Sequence, residues 1–275
     1  MKLASYRWQG RESFGIVTDK GVTDLASLTG EATLRDAIGN GRLKKEPGDM
    51  PAALDLGQVD LLPAIPQPGK IICFGLNYRD HAKEAGVPIP EQPQIFSRFT
   101  DTLVAHGKPM IRPRNSTSFD FEGELAIVIG ATARHVQPQD ALSHVFGYTC
   151  FNDGSLRDFQ KQSLTAGKNF PSTGALGPWV VTADEVGDPA DLMLSTTVNG
   201  ERVQHKSTGN MIFSVPQMIA YASSWTMLSP GDIICTGTPE GVGFARKPPL
   251  WLKPGDTVEV TISKIGTLSN TVAEE

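Results

Sequence analysis

The sequence predicts an α+β protein dominated by mixed β-structure, and three observations carry that reading. Glycine (28 residues) and proline (20 residues) are plentiful for a helical chain and punctuate it with turns. Between the turns lie short apolar runs, near 122–130, 145–151, 178–182, 193–198, 232–236 and 257–263, with the length and composition of strands. One clear helix runs from Ile212 to about Ser224. There Ser214 and Gln217 fit a capping box, Pro216 sits in the first turn, and Met218, Ile219 and Tyr221 supply apolar bulk.

In chain order, Tyr6-Arg7-Trp8 and Phe14-Gly15-Ile16-Val17 predict a hairpin, and Leu25 to Ile38 predicts short helical turns. The segment Leu61 to Gly69 then carries Pro63, Pro66 and Pro68, too closely spaced for a helix or a central strand. It divides the chain into a small N-terminal β domain with its linker, residues 1–66, and a larger domain, residues 67–275. Lys70-Ile71-Ile72-Cys73-Phe74-Gly75 opens that larger domain as a buried strand, and a short helix at about 78–85 holds His81. Val198-Asn199-Gly200-Glu201-Arg202-Val203 carries the Asn-Gly signal of a tight hairpin. No internal repeat or low-complexity segment interrupts the pattern.

Composition narrows the class. At 275 residues, 39% hydrophobic and 20% charged, the chain can bury a sizeable core and is ordinary for a soluble globular protein. A net charge of −5 with both signs interspersed favours neither nucleic acid nor an anionic membrane surface. No apolar run approaches the ~20 residues of a membrane span. The start, Met1-Lys2-Leu3-Ala4-Ser5-Tyr6-Arg7, lacks a signal-peptide apolar core. Cys73, Cys150 and Cys235 lie far apart in apolar runs, without CxxC or Cys/His spacing. They predict buried small hydrophobes rather than a disulfide framework or a zinc site, with a catalytic cysteine as the alternative. The expected compartment is the cytoplasm.

The stretch that says most is Asp120-Phe121-Glu122-Gly123-Glu124, which runs into Leu125-Ala126-Ile127-Val128-Ile129. On a strand its three carboxylates project from one side, ~7 Å apart, and repel each other. A hard divalent cation (Mg²⁺, Mn²⁺ or Ca²⁺) relieves that conflict, whereas a solvated edge strand avoids it. Asp153 ends the apolar run Phe146 to Asn152 and reads either as a third metal ligand or as a helix N-cap. Arg157 and Asp158, in the polar turn beyond, read as a local ion pair without function. His81 and Glu84 stand three apart, so on a helix the carboxylate can orient the imidazole to deprotonate a water; the alternative is an idle surface pair. Lys168, between Gly167 and Asn169-Phe170, is either partly buried, where it could stabilise an enolate or a carboxylate, or a loop lysine in solvent. Thr236-Gly237-Thr238-Pro239-Glu240-Gly241-Val242-Gly243 lacks GxGxxG or Walker spacing, but its backbone N–H groups could cradle a small carboxylate.

Taken together, these segments resemble the fumarylacetoacetate hydrolase family, in the branch of bacterial acylpyruvate-type hydrolases. The resemblance covers residues 70 to about 272. It rests on Lys70 to Tyr78 with His81 and Glu84, on Asp120 to Ala126, on Gly147-Tyr148, on Asn152 to Gln160 and on Gly167-Lys168-Asn169-Phe170. It continues through Gly177-Pro178-Trp179, Pro230-Gly231-Asp232, Thr236-Gly237-Thr238-Pro239 and Lys253-Pro254-Gly255-Asp256. No single motif decides, but this many in this order is very specific.

The resemblance implies a mixed β-sandwich roll of the fumarylacetoacetase C-terminal type with a small N-terminal β domain, in a homodimer. It implies Glu122, Glu124 and Asp153 as ligands of Mg²⁺ or Mn²⁺, and His81 with Glu84 as a water-activating dyad on a mobile lid. Lys168, Gln160, Gly237 and Thr238 would contact the substrate, a small 2-oxo acid. One departure is visible: Arg98 stands where many members have lysine, at a position implied to contact a substrate carboxylate. The implied reaction is hydrolysis of the C–C bond of a 1,3-diketo acid to pyruvate and a carboxylic acid. A lyase, decarboxylase or isomerase of the same family, acting on oxaloacetate or an oxo-dienoate, is the alternative. A third class, a non-enzymatic protein with structural Ca²⁺, has no use for the dyad or Lys168.

Overall fold

A computed structural model of the chain describes residues 1–43 and 52–275. The strands β1 (Lys2–Trp8), β2 (Arg11–Thr18) and β3 (Gly21–Asp24) form an antiparallel meander. The short helices α1 (Ala26–Thr29) and α2 (Leu34–Gly39) follow, and β4 (Asp60–Leu61) returns to pair with β1. Next come β5 (Ile71–Gly75), α3 (Arg79–Glu84), β6 (Gln94–Ser97), β7 (Leu103–Val104), β8 (Met110–Arg112), β9 (Phe119–Asp120) and β10 (Gly123–Ile129). The chain then makes β11 (Val145–Asn152), β12 (Ser155–Leu156), α4 (Arg157–Gln160), α5 (Leu164–Lys168), β13 (Gly174–Thr182) and α6 (Ala183–Val186). Last come β14 (Met193–Val198), β15 (Glu201–Ser207), α7 (Val215–Trp225), β16 (Ile233–Cys235), β17 (Thr257–Ile262) and β18 (Gly266–Glu274).

The large sheet is mixed, in the order β3-β2-β1-β13-β11-β10-β16-β5-β6, with β16–β5 and β13–β7 parallel. A second sheet, β15-β14-β17-β18-β8, packs on it through β10, β11 and β13, and β12 pairs with β9. Strand β10 is apolar at every position from 125 to 129, as a strand covered on both faces must be. Period two sends Leu125, Ile127 and Ile129 into the core between the sheets, with Leu194, Val260, Ile262 and Leu268. It sends Ala126 and Val128 into a core on the other face, with Leu3, Phe14, Leu34, Ile38 and Val180. The architecture is thus the expected β-dominated one.

The N-terminal hairpin joins the rest through that second core and through β1 on β13, Leu3 opposite Val180. The Pro-rich segment runs alongside: Leu62 N–H donates to Ser5 O, and Ala64 N–H donates to Leu176 O. The three cysteines are buried and free, with Cys73 facing Cys235 across β5 and β16.

Helix α7 and strand β18 are among the elements that differ from the sequence reading. Helix α7 starts at Val215, three residues after Ile212, because Ile212 N–H bonds to Asn77 O while Ser214 N–H donates to Gln217 Oε1. Strand β18 has no apolar run. Its buried positions Leu268, Asn270 and Val272 alternate with small polar residues, a weaker signal than an apolar run. Among the described residues no helix is long and apolar enough to cross a membrane.

Candidate active site and metal centre

Strands β10 and β11 are antiparallel neighbours, in the register Gly123 opposite Asn152 and Glu124 opposite Phe151. One step beyond that ladder, Asp153 N–H donates to Glu122 O at 2.8 Å, so Glu122 and Asp153 stand opposite each other. Opposed residues on paired strands share a face, as do residues two apart on one strand. Glu122, Glu124 and Asp153 therefore converge: one oxygen from each lies within 4.8 Å of the other two, and all three are buried.

Asp120 does not join them. Strand β9 ends there, paired with Ser155 of β12, and β10 starts only at Gly123, so the acidic stretch is two strands rather than one. The Asp120 carboxylate instead accepts from Arg157 Nε at 2.8 Å and from the N–H groups of Gly243 at 2.7 Å and Phe244 at 3.0 Å.

Three basic side chains answer these four acids. Arg157 bridges Asp120 and Glu122, its Nη2 lying 2.6 Å from Glu122 Oε1. The expected Arg157–Asp158 pair is absent: Asp158 accepts from Ser116 Oγ and Ser118 accepts from Asp158 N–H. Arg98 binds Asp153, Gly154 O, Thr102 Oγ1 and Thr173 Oγ1 with its side chain wholly buried. That corrects the implied substrate contact, because a guanidinium engaged on every side behind Asp153 positions that acid and does not reach the cavity. Lys168 Nζ lies 2.6 Å from both Glu122 Oε2 and Asp153 Oδ2. It is buried, not solvated in a loop, because Gly167 lets α5 lie against Gln160: a Cβ there would meet Gln160 Cα at 2.7 Å.

No ion pair reaches Glu124 among the described residues, and its carboxylate accepts from Gly237 N–H at 2.9 Å. Burial pushes the Glu124 carboxyl well above its ordinary range, and the charges of Asp153 and Glu122 push it further. Burial also raises Glu122, but Lys168, Arg157 and His81 outweigh that and hold it at about 2. The site is thus one positive charge short, and three convergent carboxylate oxygens suit a hard divalent ion, Mg²⁺ or Mn²⁺.

The helix α3 carries the dyad. His81 Nδ1 lies 3.3 Å from Glu84 Oε2, and Glu84 is held by Gly241 N–H at 3.0 Å. A carboxylate only accepts, so Nδ1 carries the hydrogen and Nε2 the lone pair. The 236–244 loop was expected to offer N–H groups to a substrate carboxylate; the ones it places here take Glu124, Glu84 and Asp120 instead. Thr238 Oγ1 donates to Gly123 O and accepts from Gln204 Nε2, so its hydroxyl proton is engaged within the protein.

A cavity of about 250 Å³ opens on this assembly. His81, Glu122, Glu124, Gln160, Lys168, Gly237 and Thr238 line it, whereas Glu84 stands behind His81, Asp153 behind Lys168, and Arg98 behind Asp153. Sequence reasoning missed Phe74, Phe96 and Phe244 in the lining, and Gln204, whose Oε1 accepts from Gly123 N–H. No alternation in the sequence marks Gln204, because Val203 and Gln204 are buried side by side where the register between β14 and β15 shifts.

Residues 70–273 match the family model described as fumarylacetoacetate (FAA) hydrolase C-terminal. The chain belongs to the fumarylacetoacetate hydrolase family. Within the family it is 41% identical over 281 residues to the 2,4-didehydro-3-deoxy-L-rhamnonate hydrolase of Sphingomonas sp. (strain SKA58), covering 100% of this chain and 96% of that one. It is 44% identical over 224 residues to the mitochondrial oxaloacetate tautomerase fahd2 of Xenopus laevis, covering 80% of this chain and 70% of that one. The maleylpyruvate hydrolase from Sphingobium sp. SYK-6, solved with manganese(II) ion and pyruvate, shares the fold with a TM-score of 0.84. That match has 31% identity over 100% of this chain and 99% of the other. Members of the fumarylacetoacetate hydrolase family are enzymes, several of them hydrolases.

Proposed function

We propose that the protein is a Mg²⁺- or Mn²⁺-dependent hydrolase that cleaves the C–C bond of a 2,4-dioxo (acylpyruvate-type) acid into pyruvate and a carboxylic acid. The observation that carries this reading is a single cavity lined by His81, of the His81–Glu84 pair, and by Glu122 and Glu124, with Asp153 converging on those two acids from behind. Held by Glu122, Glu124 and Asp153, the ion supplies a Lewis acid for the negative charge that bond cleavage leaves on the pyruvate half.

The chain's own residues do the rest. His81 takes a proton from water at Nε2, while Glu84 keeps Nδ1 protonated and stabilises the imidazolium. The hydroxide adds to the distal carbonyl, the bond from that carbon to carbon 3 breaks, and carbon 3 takes a proton to become the pyruvate methyl. Lys168 presents an ammonium in the cavity wall where negative charge gathers. Phe74, Phe96 and Phe244 keep that wall poor in water, which strengthens every charge interaction inside. The name of the Sphingomonas relative places oxo groups at carbons 2 and 4, the spacing this chemistry requires.

The tautomerase relative supports a second reading, in which the same site moves a proton on oxaloacetate without breaking a C–C bond. Assays of acetylpyruvate, fumarylpyruvate and oxaloacetate with either ion separate the two. We expect one pyruvate and one carboxylic acid per dioxo acid, with the rate reduced by ~10²–10⁴ in His81→Ala. Interconversion of oxaloacetate forms with every dioxo acid left intact would favour the tautomerase reading.

A further inference from the structure

The catalytic cavity shares part of its wall with a neighbour. A second cavity of about 600 Å³ adjoins it, and Arg157, Gln160 and Phe244 wall both. The reacting carbonyls belong beside the carboxylate trio and His81, so the acyl half of a dioxo acid extends away from them, along that shared wall. Arg157 is neutralised there by Asp120 and Glu122, and its Nη1 donates to Gln160 Oε1 at 2.9 Å. Gln160 is left with its amide N–H groups as donors.

The second cavity adds Thr117, Ser118, Asp158, Lys161 and Trp251. Asp158 is held by Ser116 Oγ, and Ser118 Oγ by Asp158 N–H. Lys161, the residue that closes α4, is exposed and forms no ion pair with an acid among the described residues. Trp251 and Phe244 add aromatic rings to the lining, with Arg157 over the Phe244 ring. A chain that is apolar in the middle and anionic at its far end matches this set of groups.

We propose that the second cavity seats the acyl end of the substrate and that Lys161 selects dioxo acids whose acyl group ends in a second carboxylate. The inference rests on the proposed reaction for its substrate class, so its test is one of binding rather than turnover. The probes are 2-oxoheptanedioate and 2-oxoheptanoate, the same chain ending in a carboxylate or a methyl group, titrated by calorimetry into the Mn²⁺-loaded protein.

The diacid is expected to bind about tenfold more tightly than the monoacid, a preference that shrinks as salt screens the ammonium. Lys161→Gln is expected to abolish the preference and Lys161→Arg to retain it. Equal affinity for the two probes in the unaltered protein, or a preference that survives Lys161→Gln, would overturn the proposal. A clear diacid preference without cleavage of any dioxo acid would sink the hydrolase reading and leave this inference standing.

Discussion

Glu124 is the residue on which the metal site turns, because the protein surrounds it with two other carboxylates and gives it only a backbone N–H. Its carboxyl is raised, so without an ion it holds its proton well above pH 4.5, where the unfolded chain has released it. The ion requires the carboxylate. Mn²⁺ affinity should therefore rise with pH, and binding to the protonated form should release a proton, read as a buffer-dependent heat in calorimetry at mildly acidic pH. Heat independent of the buffer would contradict the raised Glu124. Glu122 has the opposite sign: held at about 2, it stabilises the fold above pH 4.5, and that contribution disappears as pH falls toward 2. Arg98 gives a second residue-scale prediction. Replacing it by Met leaves Asp153 with Lys168 as its one ion-pair partner in a buried site and should cost ~3–5 kcal/mol in urea denaturation; a loss below ~1 kcal/mol would mean that Lys168 alone compensates Asp153. The trio was legible from strand periodicity and the family resemblance. The partners of Arg98 and Arg157 were not, because Asp153 is 55 residues from Arg98, and Asp120 is 37 from Arg157. Which arginine meets which acid is decided by strand order, not by local spacing.

Among the elements, the 236–244 loop matters most, since its backbone holds Glu124, Glu84 and Asp120 in place. Sequence reading saw a glycine-rich loop able to cradle a carboxylate. It could not see that β16 delivers the loop beside β10, where the protein's own acids claim those N–H groups. Gly237 is the sensitive point: φ is +88°, and a Cβ there would meet Phe74 O at 2.7 Å. Gly237→Ala should cost ~1–3 kcal/mol and loosen Mn²⁺ binding about tenfold by shifting the N–H from Glu124. Unchanged Mn²⁺ affinity would show that the Gly237 contact does not position the ligand. Helix α3 was legible in full, because three-residue spacing fixes His81 and Glu84 on one face whatever the helix packs against.

At the scale of the whole molecule, both cores meet at β10 and β11, and the ends of those two strands carry the trio. The β-dominated class followed from turn density and short apolar runs. The strand order did not, because period two says which face a residue takes and not which strand lies beside it. The N-terminal hairpin contributes Leu3 and Phe14 to the core behind the site. Phe14→Ala should therefore lower stability by ~3–5 kcal/mol and move a single thermal transition for the whole chain. Melting of the hairpin alone, with the Mn²⁺-dependent shift of the remainder intact, would contradict that coupling. The central claim is that a water activated at His81 attacks the distal carbonyl, and oxygen isotope tracing tests it most directly. With acetylpyruvate and Mn²⁺ in H₂¹⁸O, the account predicts that solvent ¹⁸O enters the carboxylate of the acetate released, and that labelled acetate forms ~10²–10⁴-fold more slowly in His81→Ala. Pyruvate formed without labelled acetate, or labelling at an undiminished rate in His81→Ala, would contradict it.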